Sequence, residues 1–478
     1  MEEPDRNKLS WIMEDIRNTR IGTALLAVAV LAHLATSVFS TGFYHPDEHF
    51  HILEFLGARL GWSSEADLPW EWPVQIRPAL LVAWAALITQ ALKLVNLVDP
   101  FLVAWLLRLS AAMLGLAASL ALYRSVERDF PNGRLIWFWT CLLWVLPVVH
   151  ARFIADNLAC SLFVLGAARL LAADRAAVGG LLMATALVLR PHLLPMVAGF
   201  LGWWLIQDRS RLRLIVPIAA AGIVLLAVEA AAGKWLYGTW TFSPWNYLQE
   251  NILSGRMNDF GSRPWWGYFQ IMMTDVLPPF NVLFIAAVAV FAIRYPKHWV
   301  TWSVVPFLLI HILVPMKHLR FLFPLVTFLP VLLVSLDHAR MAKANKIFIG
   351  MSAMVLLVAV FLPMDRSPGF FRFVNERFPD GVTLYTLGWN PYERVGLPLN
   401  FYNKVAVNVR NLQEMSFPQD LPAGEYYLFH RRYHLPERFS TQGCLVLYSS
   451  LPNWIGRFDF NGWLSRTELW RLFRCRNT

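Results

Sequence analysis

Long apolar segments separated by short polar stretches dominate this chain. Twelve segments can be drawn along its 478 residues, at 22–40, 79–97, 101–122, 135–149, 154–171, 177–190, 193–207, 214–232, 279–293, 299–315, 320–336 and 347–363. Most approach the roughly 20 residues that an α-helix needs to cross a bilayer. The pattern predicts a polytopic α-helical membrane protein with about 11–13 transmembrane helices.

Composition excludes an ordinary soluble enzyme. Hydrophobic residues make up 57% of the chain and charged residues only 15%, against roughly 25% charged in a typical soluble domain. The formal net charge of +10 also fits nucleic-acid binding, but most basic residues lie in short loops between apolar segments. Membrane topology explains such basic loops, so we expect no nucleic-acid partner.

Basic residues near the N-terminus and in two later loops indicate the cytoplasmic side. These residues are Arg6, Lys8, Arg17 and Arg20, then Arg209, Arg211 and Arg213, then Arg340, Lys343 and Lys346. The positive-inside rule places all three groups in the cytoplasm. The loop around His45 (about 41–78), a second loop at about 233–278 and the tail from 364 then face outward.

An inside N-terminus and an outside tail require an odd number of crossings, so one of the twelve segments does not cross. Segment 79–97 is the first candidate; if it lies along the surface or re-enters, Arg124, Arg128 and Arg134 become cytoplasmic. Alternatively, one of the short pieces between 135 and 207 fails to span. The first apolar segment is too long, and too poorly followed by a small-residue cleavage site, to be a removed signal peptide.

Beyond residue 363 the composition shifts to polar residues, Pro and Gly. Residues 364–478 are enough for a small domain next to the membrane module 1–363, and 425–429 and 444–448 have the composition of short strands. We predict a mixed α/β exported domain. Cys444 and Cys475 both lie in this tail, where an oxidising compartment permits a disulfide; two unpaired thiols are the alternative, because spacing alone does not establish proximity.

Dense charge follows the first apolar segment, where the chain reads Tyr-His-Pro-Asp-Glu-His-Phe-His from Tyr44 to His51. Pro46 suits the first position of a helix, which places Asp47 and Glu48 in a first turn that favours anions. Helix capping alone explains such a pair. The loop continues, however, with further acids and tryptophans: Glu54, Trp62, Glu65, Asp67, Trp70, Glu71 and Trp72.

Acids and aromatic rings mixed at a membrane face suit a sugar-binding surface, since rings cover apolar sugar faces and carboxylates accept hydroxyl hydrogen bonds. Tryptophan also favours the membrane interface on its own account. The alternation of His45, Asp47, His49 and His51 resembles a metal-ligand set if the segment is extended. In a helix these side chains spread around the axis, so we favour a site without metal.

Several basic residues lie at the outward ends of apolar segments, against the positive-inside trend. They are Arg77, Arg152, Arg190, His192, Lys317, His318 and Arg320. Each alone is explained by snorkelling or by a structural contact. Together they favour an anionic substrate, and a lipid phosphate or pyrophosphate is the natural ligand, because Arg offers a fork and Lys a point charge for phosphate oxygens.

These motifs, taken in order, resemble a known family, the polyprenyl-phosphate-mannose-dependent mannosyltransferases that build glycosylphosphatidylinositol anchors and N-glycan precursors, of the GT-C class. The resemblance covers most of the membrane region. The residues that carry it are His45-Pro46-Asp47-Glu48-His49-Phe50, Glu54, Trp70-Glu71-Trp72, Arg77, Arg152, Asn157, Arg190-Pro191, Tyr237-Gly238-Thr239-Trp240, Asn246, 261–268 and 317–324. Two positions depart: Met316-Lys317-His318 stands where the family has His-Lys-Glu, and Glu229 where relatives often have Asp.

The resemblance implies a GT-C fold and an inverting transfer of mannose from a polyprenyl-phosphate donor to a lipid-linked or glycan acceptor, on the outer face of the membrane. Asp47 would be the general base. Substrate would bind His45, Glu48, Glu54, Trp70, Glu71 and Arg77, and the donor phosphate would bind Arg190, His192, Lys317, His318 and Arg320. A phosphate leaving group needs no general acid, and neither a divalent metal nor another cofactor is expected.

Two other classes of membrane protein fit part of this pattern. A secondary transporter also has many helices and intramembrane charges, but here the charges cluster at one face and no inverted halves are apparent. A receptor or assembly scaffold leaves the acid-rich loop and the outward cations unexplained.

The sugar and the compartment remain open at this point. Glucose, galactose or arabinose fits the same mechanism, because mannose rests on the resemblance. No Asn-X-Ser/Thr sequon occurs. We favour a bacterial cytoplasmic membrane with the active site facing the periplasm, with the endoplasmic reticulum membrane and a lumenal site as the alternative.

Overall fold

The computed structural model describes residues 19–172, 175–337, 342–412, 424–436, 439 and 443–477. Four of the basic residues used to orient the chain, Arg6, Lys8, Arg17 and Arg340, lie outside these ranges. The chain divides into two compact units. We call them the helical unit and the C-terminal unit.

The helical unit comprises the described parts of Met1–Ser40, Trp70–Leu97 and Val103–Leu362. The C-terminal unit comprises Thr41–Pro69, Val98–Leu102 and the described parts of Pro363–Thr478. The stretch that contains Asp47 therefore groups with the C-terminal residues, whereas the sequence analysis placed all of 41–78 in the membrane module.

The twelve apolar segments form helices, two of which are interrupted. The bounds are Arg20–Phe39, Leu80–Leu94, Pro100–Val126, Gly133–Leu142, Val145–His150, Ala155–Ala172, Ala176–Leu189, Leu194–Gln207, Ile215–Tyr237, Phe280–Arg294, Trp299–Leu313, Phe323–Val326, Leu329–Val334 and Ala342–Ala359. By length and composition, four helices among the described residues can cross a membrane: Arg20–Phe39, Pro100–Val126, Ala155–Ala172 and Arg209–Tyr237.

Length does not identify the segment that fails to cross. Leu80–Leu94 has 15 residues, which span roughly 22 Å of the roughly 30 Å hydrocarbon layer. Phe280–Arg294 and Trp299–Leu313 also have 15 residues, and Ala176–Leu189 has 14. The choice of 79–97 thus stays a prediction.

A serine hydroxyl repairs the interruption between Gly133–Leu142 and Val145–His150. The hydroxyl of Ser352 donates to the carbonyl of Leu142 at 2.8 Å and accepts from the amide of Trp144 at 3.0 Å. Ser352 is fully buried. Backbone groups released inside an apolar layer need such partners, so this one side chain allows the helix to break there.

Segment 320–336 was predicted as one helix and is three short ones. It forms a 3-10 turn at Leu319–Leu322, then Phe323–Val326 and Leu329–Val334. Pro324 and Pro330 each lie in the first turn of their helix. Proline has no amide hydrogen and clashes with the preceding turn, which ends a continuous helix at these points.

Glycines set the closest helix packing. A Cβ on Gly166 would lie 2.9 Å from the carbonyl oxygen of Gly179, and a Cβ on Gly180 would lie 2.7 Å from the Cα of Ile218. Small residues at such crossings let helix backbones approach closely. Inside lipid the hydrophobic effect does not bring helices together, so their association depends on close packing. Ala176–Leu189 is thereby held between Ala155–Ala172 and Ile215–Tyr237.

Shorter elements lie in the loops. In the C-terminal unit they are Pro46–Glu48, a π-helix His49–Glu54, Phe55–Leu60 and Glu65–Asp67, and in the helical unit Glu71–Val74, Ser243–Leu248, Gln249–Leu253, Arg256–Phe260 and Gly267–Asp275.

A five-stranded mixed sheet lies in the C-terminal unit and follows the helix Ser367–Arg377 along the chain. The strands of this unit are β1 Val382–Thr386, β2 Glu393–Arg394, β3 Leu397–Pro398, β4 Val407–Asn411, β5 Gly424–His430, β6 Leu445–Ser449 and β7 Arg471–Asn477. The five-stranded sheet has the order β4-β1-β5-β7-β6, and β2 and β3 form a separate antiparallel pair. β1 pairs in parallel with β4 and β5, and β7 runs antiparallel to β5 and β6.

The predicted strands and the mixed α/β class of the tail are confirmed, since 425–429 lies in β5 and 444–448 overlaps β6. A disulfide joins Cys444 to Cys475 and links the start of β6 to β7. Its neighbours are apolar core residues: Tyr385, Leu412, Tyr426, Leu428, Phe439 and Phe473.

Candidate active site

Asp47 lies between two histidines directly after the first helix. Its Oδ1 is 3.0 Å from Nδ1 of His45, and its Oδ2 is 3.4 Å from Nδ1 of His51. The Asp47 side chain keeps 13% of its surface exposed. The carboxylate is therefore oriented by its neighbours and keeps part of its surface accessible, two properties that a general base needs.

The local sequence explains this geometry. Pro46 starts a three-residue helix, and His45 caps it, with Nδ1 accepting the amide N–H of Asp47 at 3.2 Å. Glu48 reaches back, and its Oε1 accepts the amide N–H of Tyr44 at 2.9 Å. His45 Nδ1 cannot accept from the amide and donate to the carboxylate at once, so its two contacts belong to different tautomers. Capping is thus shared by His45 and Glu48.

Glu54 is an internal acceptor. Its Oε1 is 2.7 Å from Nε2 of His49 and accepts the amides of Asn400 and Phe401 at 2.7 and 2.9 Å. Its Oε2 accepts the hydroxyl of Ser63 at 2.6 Å. Both oxygens are occupied and the residue is 1% exposed, which favours a structural role over sugar binding.

Charge and hydrogen bonding keep Glu54 ionised. Burial by itself would raise the pKa of the Glu54 carboxyl. The hydrogen bond and charge of His49, with the bonds from Ser63 and the Phe401 amide, outweigh burial and lower the pKa below its ordinary value of 4.5. The favoured state is the one that donors stabilise, a carboxylate.

The histidines of this stretch are not placed as a ligand set. His49 contacts Glu54, whereas His45 and His51 contact Asp47. Within the ranges that the structure describes, no group of three or more His, Cys, Asp or Glu side chains is placed to hold a metal ion.

Trp70, Glu71 and Arg77 belong to the helical unit. Arg77 Nη2 is 2.9 Å from Oε1 of Glu71. The Trp70 ring stacks on Phe260 with centroids 6.0 Å apart, and the guanidinium carbon of Arg256 lies 4.4 Å from the Trp70 centroid. These three predicted substrate residues thus divide into an ion pair and an aromatic surface.

Residues 229–246 hold the chain around Arg77. Glu229 accepts the amides of Ala79 and Leu80 at 2.8 and 3.2 Å. The hydroxyl of Tyr237 donates to the carbonyl of Arg77 at 2.8 Å, and the Asn246 amide donates to the carbonyl of Val74 at 3.2 Å. The Tyr-Gly motif and its acid therefore position the 74–80 stretch.

The predicted phosphate-binding cations of the helical unit come together. Arg190 Nη2 is 2.7 Å from Oδ2 of Asp156, and His192 Nε2 is 3.4 Å from Oδ1 of the same carboxylate. His192 also interacts electrostatically with Arg320 and His311, and His311 interacts with Asp156 and Lys317. We call Asp156, Arg190, His192, Lys317 and Arg320 the cationic cluster, because one carboxylate does not balance its lysine and two arginines.

Lys317 and His318 have structural contacts as well. The Lys317 ammonium donates to the carbonyls of Ile312 and Val314, at the end of the helix Trp299–Leu313, and lies 5.6 Å from the Tyr268 ring. His318 caps the next turn, with Nδ1 accepting the Arg320 amide at 3.2 Å. An ammonium has three donors, so Lys317 keeps one beyond the two carbonyl bonds.

Arg152 does not join the cluster through any contact described for it. Its Nη2 donates to the carbonyl of Ser40 at 2.6 Å, and Asn157 donates to the carbonyls of His150 and Arg152 at 3.0 and 3.1 Å. Arg152 is 1% exposed. This pair therefore stabilises the bend before Ala155–Ala172.

A family model for the Alg9-like mannosyltransferase family matches residues 24–373. The chain belongs to the Alg9-like mannosyltransferase family. The match contains the Asp47 stretch and the whole cationic cluster and ends before β1. The family resemblance stated from the motifs is thereby confirmed.

Curated relatives of this Alg9-like protein come from animals and plants. It is 26% identical over 59% of its length to the bovine GPI alpha-1,2-mannosyltransferase 3, and 25% identical over 67% to the human one. It is 22% identical over 50% to mannosyltransferase APTG1 of Arabidopsis thaliana. The chain spans about half the length of these relatives, 53%, 58% and 46% respectively.

The fold of this Alg9-like protein is similar to that of ArnT from Cupriavidus metallidurans. The crystal structure of ArnT bound to undecaprenyl phosphate superposes with a TM-score of 0.54 at 11% identity, covering 95% of this chain and 97% of ArnT. The apo crystal structure gives a TM-score of 0.51 and covers 98% of each chain. The predicted GT-C fold is confirmed.

Two members of the site in this Alg9-like chain were missed in the sequence. Asp156 lies beside Asn157, which the motif series includes, and is fully buried against Arg190. His311 lies in the last turn of the helix Trp299–Leu313, shortly before Lys317. The centroids of the His311 and His192 rings are 5.2 Å apart. An acid inside an apolar segment is a signal for a functional pair, and Asp156 carries that signal.

Proposed function

We propose that this protein is an inverting mannosyltransferase that moves a mannosyl residue from a polyprenyl-phosphate donor to a lipid-linked glycan at the outer face of the membrane. One observation carries the proposal: in a chain of the Alg9-like family, Asp47 is a partly exposed carboxylate held between His45 and His51. That ArnT was crystallised with undecaprenyl phosphate supports a polyprenyl-phosphate carrier.

The proposed reaction is a single displacement. An acceptor hydroxyl attacks the anomeric carbon of mannose as the bond from that carbon to the phosphate oxygen breaks, and the configuration inverts. Asp47 takes the hydroxyl proton, and the phosphate leaves with the electron pair of the broken bond. A carboxylate is a weak base, but it suffices when the proton moves late, as the new bond forms.

The cationic cluster is proposed to bind the donor phosphate. The donor is a phosphodiester with one negative charge, and the departing polyprenyl phosphate gains a second as the bond breaks. Fixed cations stabilise that growing charge more in the transition state than in the ground state. Arg190, Lys317 and Arg320 supply the positive charge, and Asp156 holds Arg190 in place.

The relatives guide the choice of acceptor. Several are named GPI alpha-1,2-mannosyltransferase 3, so we propose a mannosylated glycosylphosphatidylinositol precursor as the acceptor and an α-1,2 linkage in the product. Glu48, Glu71 and Trp70 remain candidates for sugar contact.

The compartment is proposed from the same comparisons. The favoured bacterial cytoplasmic membrane and the alternative endoplasmic reticulum membrane share an outward active site next to an oxidising space, which suits the Cys444–Cys475 disulfide. The animal and plant relatives named above support the endoplasmic reticulum alternative.

A transfer assay tests the proposal. Purified full-length protein in detergent is given polyprenyl-phosphate mannose and the mannosylated precursor, and the product is analysed for a new α-mannosyl linkage. Transfer of mannose supports the proposal. If the protein instead uses polyprenyl-phosphate glucose, galactose or arabinose, the proposed sugar is wrong and the proposed mechanism stands. No turnover with any donor would overturn the proposal.

Loss of a cation of the cluster should weaken donor use selectively. We expect Arg320→Ala and Lys317→Ala to raise the KM for polyprenyl-phosphate mannose by about tenfold or more, because a charge-assisted hydrogen bond contributes about 1.5–3 kcal/mol. The KM for the acceptor should change little. Initial rates with each substrate varied in turn measure both constants.

Two matched variants control this prediction. Lys297→Ala removes an exposed lysine at the opposite end of the helix Trp299–Leu313, and Arg320→Lys keeps the charge without the guanidinium fork. The first should behave as wild type and the second should retain part of the donor affinity. Equal increases in both KM values would argue against a donor-phosphate role.

A further inference from the structure

The C-terminal unit contains a polar crevice that the proposed transfer does not use. A cavity of about 500 Å³ is lined by Trp389, His430, Arg431, Arg432, Arg466 and Glu468. A second cavity, of about 420 Å³, includes Asn390, Arg394 and Asn411. Gly388 and Trp389 line both cavities, so the two adjoin. We call them together the Trp389 crevice.

Sheet topology places the crevice where ligands bind in α/β folds. From β1 the chain first adds β4 on one side of β1 and then β5 on the other, and both pairings are parallel. The strand order thus reverses at β1, which opens a crevice between the carboxyl ends of β1 and β5. Trp389 follows β1 and His430 ends β5, so both lie at that point.

A glycine with a positive φ forms the turn after β1. Gly388 adopts a φ of 85°, which a residue with a side chain rarely adopts, and its amide donates to Oδ1 of Asn411 at 2.9 Å. The turn is therefore anchored to the end of β4. Trp389 is held over the crevice, half-buried, with its ring edge-on to Trp470 at 5.1 Å.

Two arginines cover the Trp389 ring and are held by carboxylates. The guanidinium carbons of Arg431 and Arg394 lie 4.2 and 4.4 Å from the ring centroid. Arg431 makes a two-pronged contact with Glu468, through Nε at 3.1 Å and through Nη2. Nη2 of Arg394 is 3.4 Å from Oδ2 of Asp365. The ring is thus covered by guanidinium groups, and the ring and its arginines form a rigid wall of the crevice.

Two further arginines at the rim lack such compensation. Arg432 donates to the carbonyls of Ser465 and Arg466, and Arg466 donates to that of Asn461. In the part of the chain that the structure describes, neither is paired with a carboxylate. The excess charge acts on His430: burial lowers the pKa of His430, the His434 backbone opposes this, and the charges of Arg432 and Arg471 lower it further.

We infer that the Trp389 crevice binds a phosphate-bearing carbohydrate. Its phosphate lies at Arg432 and Arg466, and its hydroxyl groups bond the amide side chains of Asn390 and Asn411, because guanidinium groups bind phosphate oxygens in a fork and amides donate to hydroxyl oxygens. Resting on the proposed function, the inference names the occupant as the phosphorylated glycan headgroup of the acceptor. The crevice would then hold the acceptor while its hydroxyl reacts elsewhere.

Binding is tested apart from transfer, with full-length protein in detergent and isothermal titration. The probes are mannose 6-phosphate, mannose and inorganic phosphate, and the protein is wild type, Arg432→Glu, Arg466→Glu or the control Arg457→Glu. Arg457 is exposed and does not line the crevice. We expect mannose 6-phosphate to bind best, and each crevice variant to weaken it about tenfold or more while the control does not.

Each other result overturns part or all of the inference. No binding of mannose 6-phosphate by wild type, or equal loss in Arg457→Glu, overturns the site. Binding of inorganic phosphate as tight as that of mannose 6-phosphate overturns its carbohydrate component and leaves an anion site.

The transfer assay then identifies the occupant. If the crevice holds the acceptor, Arg432→Glu raises the KM for the mannosylated glycosylphosphatidylinositol precursor and leaves kcat and the donor KM unchanged. An unchanged acceptor KM overturns the acceptor as occupant. Failure of transfer by wild type, with mannose 6-phosphate still bound, would contradict the proposed function but not the binding site, so the two failures are distinguishable.

Discussion

Asp47→Asn is expected to lower kcat for mannosyl transfer by roughly 10²- to 10⁴-fold, the usual contribution of a positioned general base. Asparagine keeps the size of the side chain and its contacts with His45 and His51, but its amide cannot take the proton of the acceptor hydroxyl. The KM for donor should change little, because the proton moves only as the new bond forms. Steady-state transfer from polyprenyl-phosphate mannose measures both constants.

A matched aspartate controls this result. Asp380 is exposed in the turn before β1, and Asp380→Asn should transfer mannose at the wild-type rate. Asp47→Asn should elute as a single folded species in detergent, since the carboxylate is not buried in the core. Turnover near the wild-type rate in Asp47→Asn would exclude Asp47 as the base. A folded but inactive Asp47→Glu would show that position as well as basicity matters.

Glu54→Ala should have the largest effect on stability, about 3–5 kcal/mol, the usual cost of removing one partner from a buried charged pair. The change leaves His49, the Ser63 hydroxyl and the amides of Asn400 and Phe401 without their acceptor. Unsatisfied buried donors lose their hydration without a replacement bond. The apparent unfolding temperature in detergent measures the loss.

Two variants and the pH dependence of stability separate the effect of the Glu54 charge from that of its shape. Exposed Glu65 provides the control Glu65→Ala, which should unfold as wild type does. Because the pKa of Glu54 is lowered on folding, its contribution to the free energy of unfolding is present above pH 4.5 and is lost as the pH falls below that value through the folded pKa. Glu54→Gln should therefore be less stable than wild type at pH 7, with the difference narrowing in acid. An unchanged unfolding temperature in Glu54→Ala would contradict the structural role.

Periodicity and composition were sufficient for the fold class. The apolar segments are helical because only a helix satisfies its own backbone within lipid, so a long apolar run has one solution. The strands at 425–429 and 444–448 followed from β-branched and aromatic residues between turns. The interruptions after Leu142 and after Val326 were missed. The first depends on Ser352, about 200 residues further along the chain.

Candidate site residues were predicted unevenly. The helix start at Pro46, with Asp47 and Glu48 in its first turn, is local and followed from the sequence. The contacts of Asp47 with His45 and His51 were not predicted. Glu54 was assigned to sugar binding because its partners Asn400 and Phe401 are remote in the chain. Asp156 was missed because its pairing with Arg190 joins two helices that the sequence does not place side by side.

By itself the sequence determined the membrane-spanning helical class, the polar C-terminal tail and the types of chemistry available, since these depend on local hydrophobicity and on residue type. Tertiary structure alone decided which charges meet: Asp156 with Arg190, Glu54 with the 400–401 amides, and Trp389 with Arg394 and Arg431. The reason is physical. Whether a charged side chain has a structural or a functional role depends on the groups that it contacts once it is buried. Those groups come from distant parts of the chain.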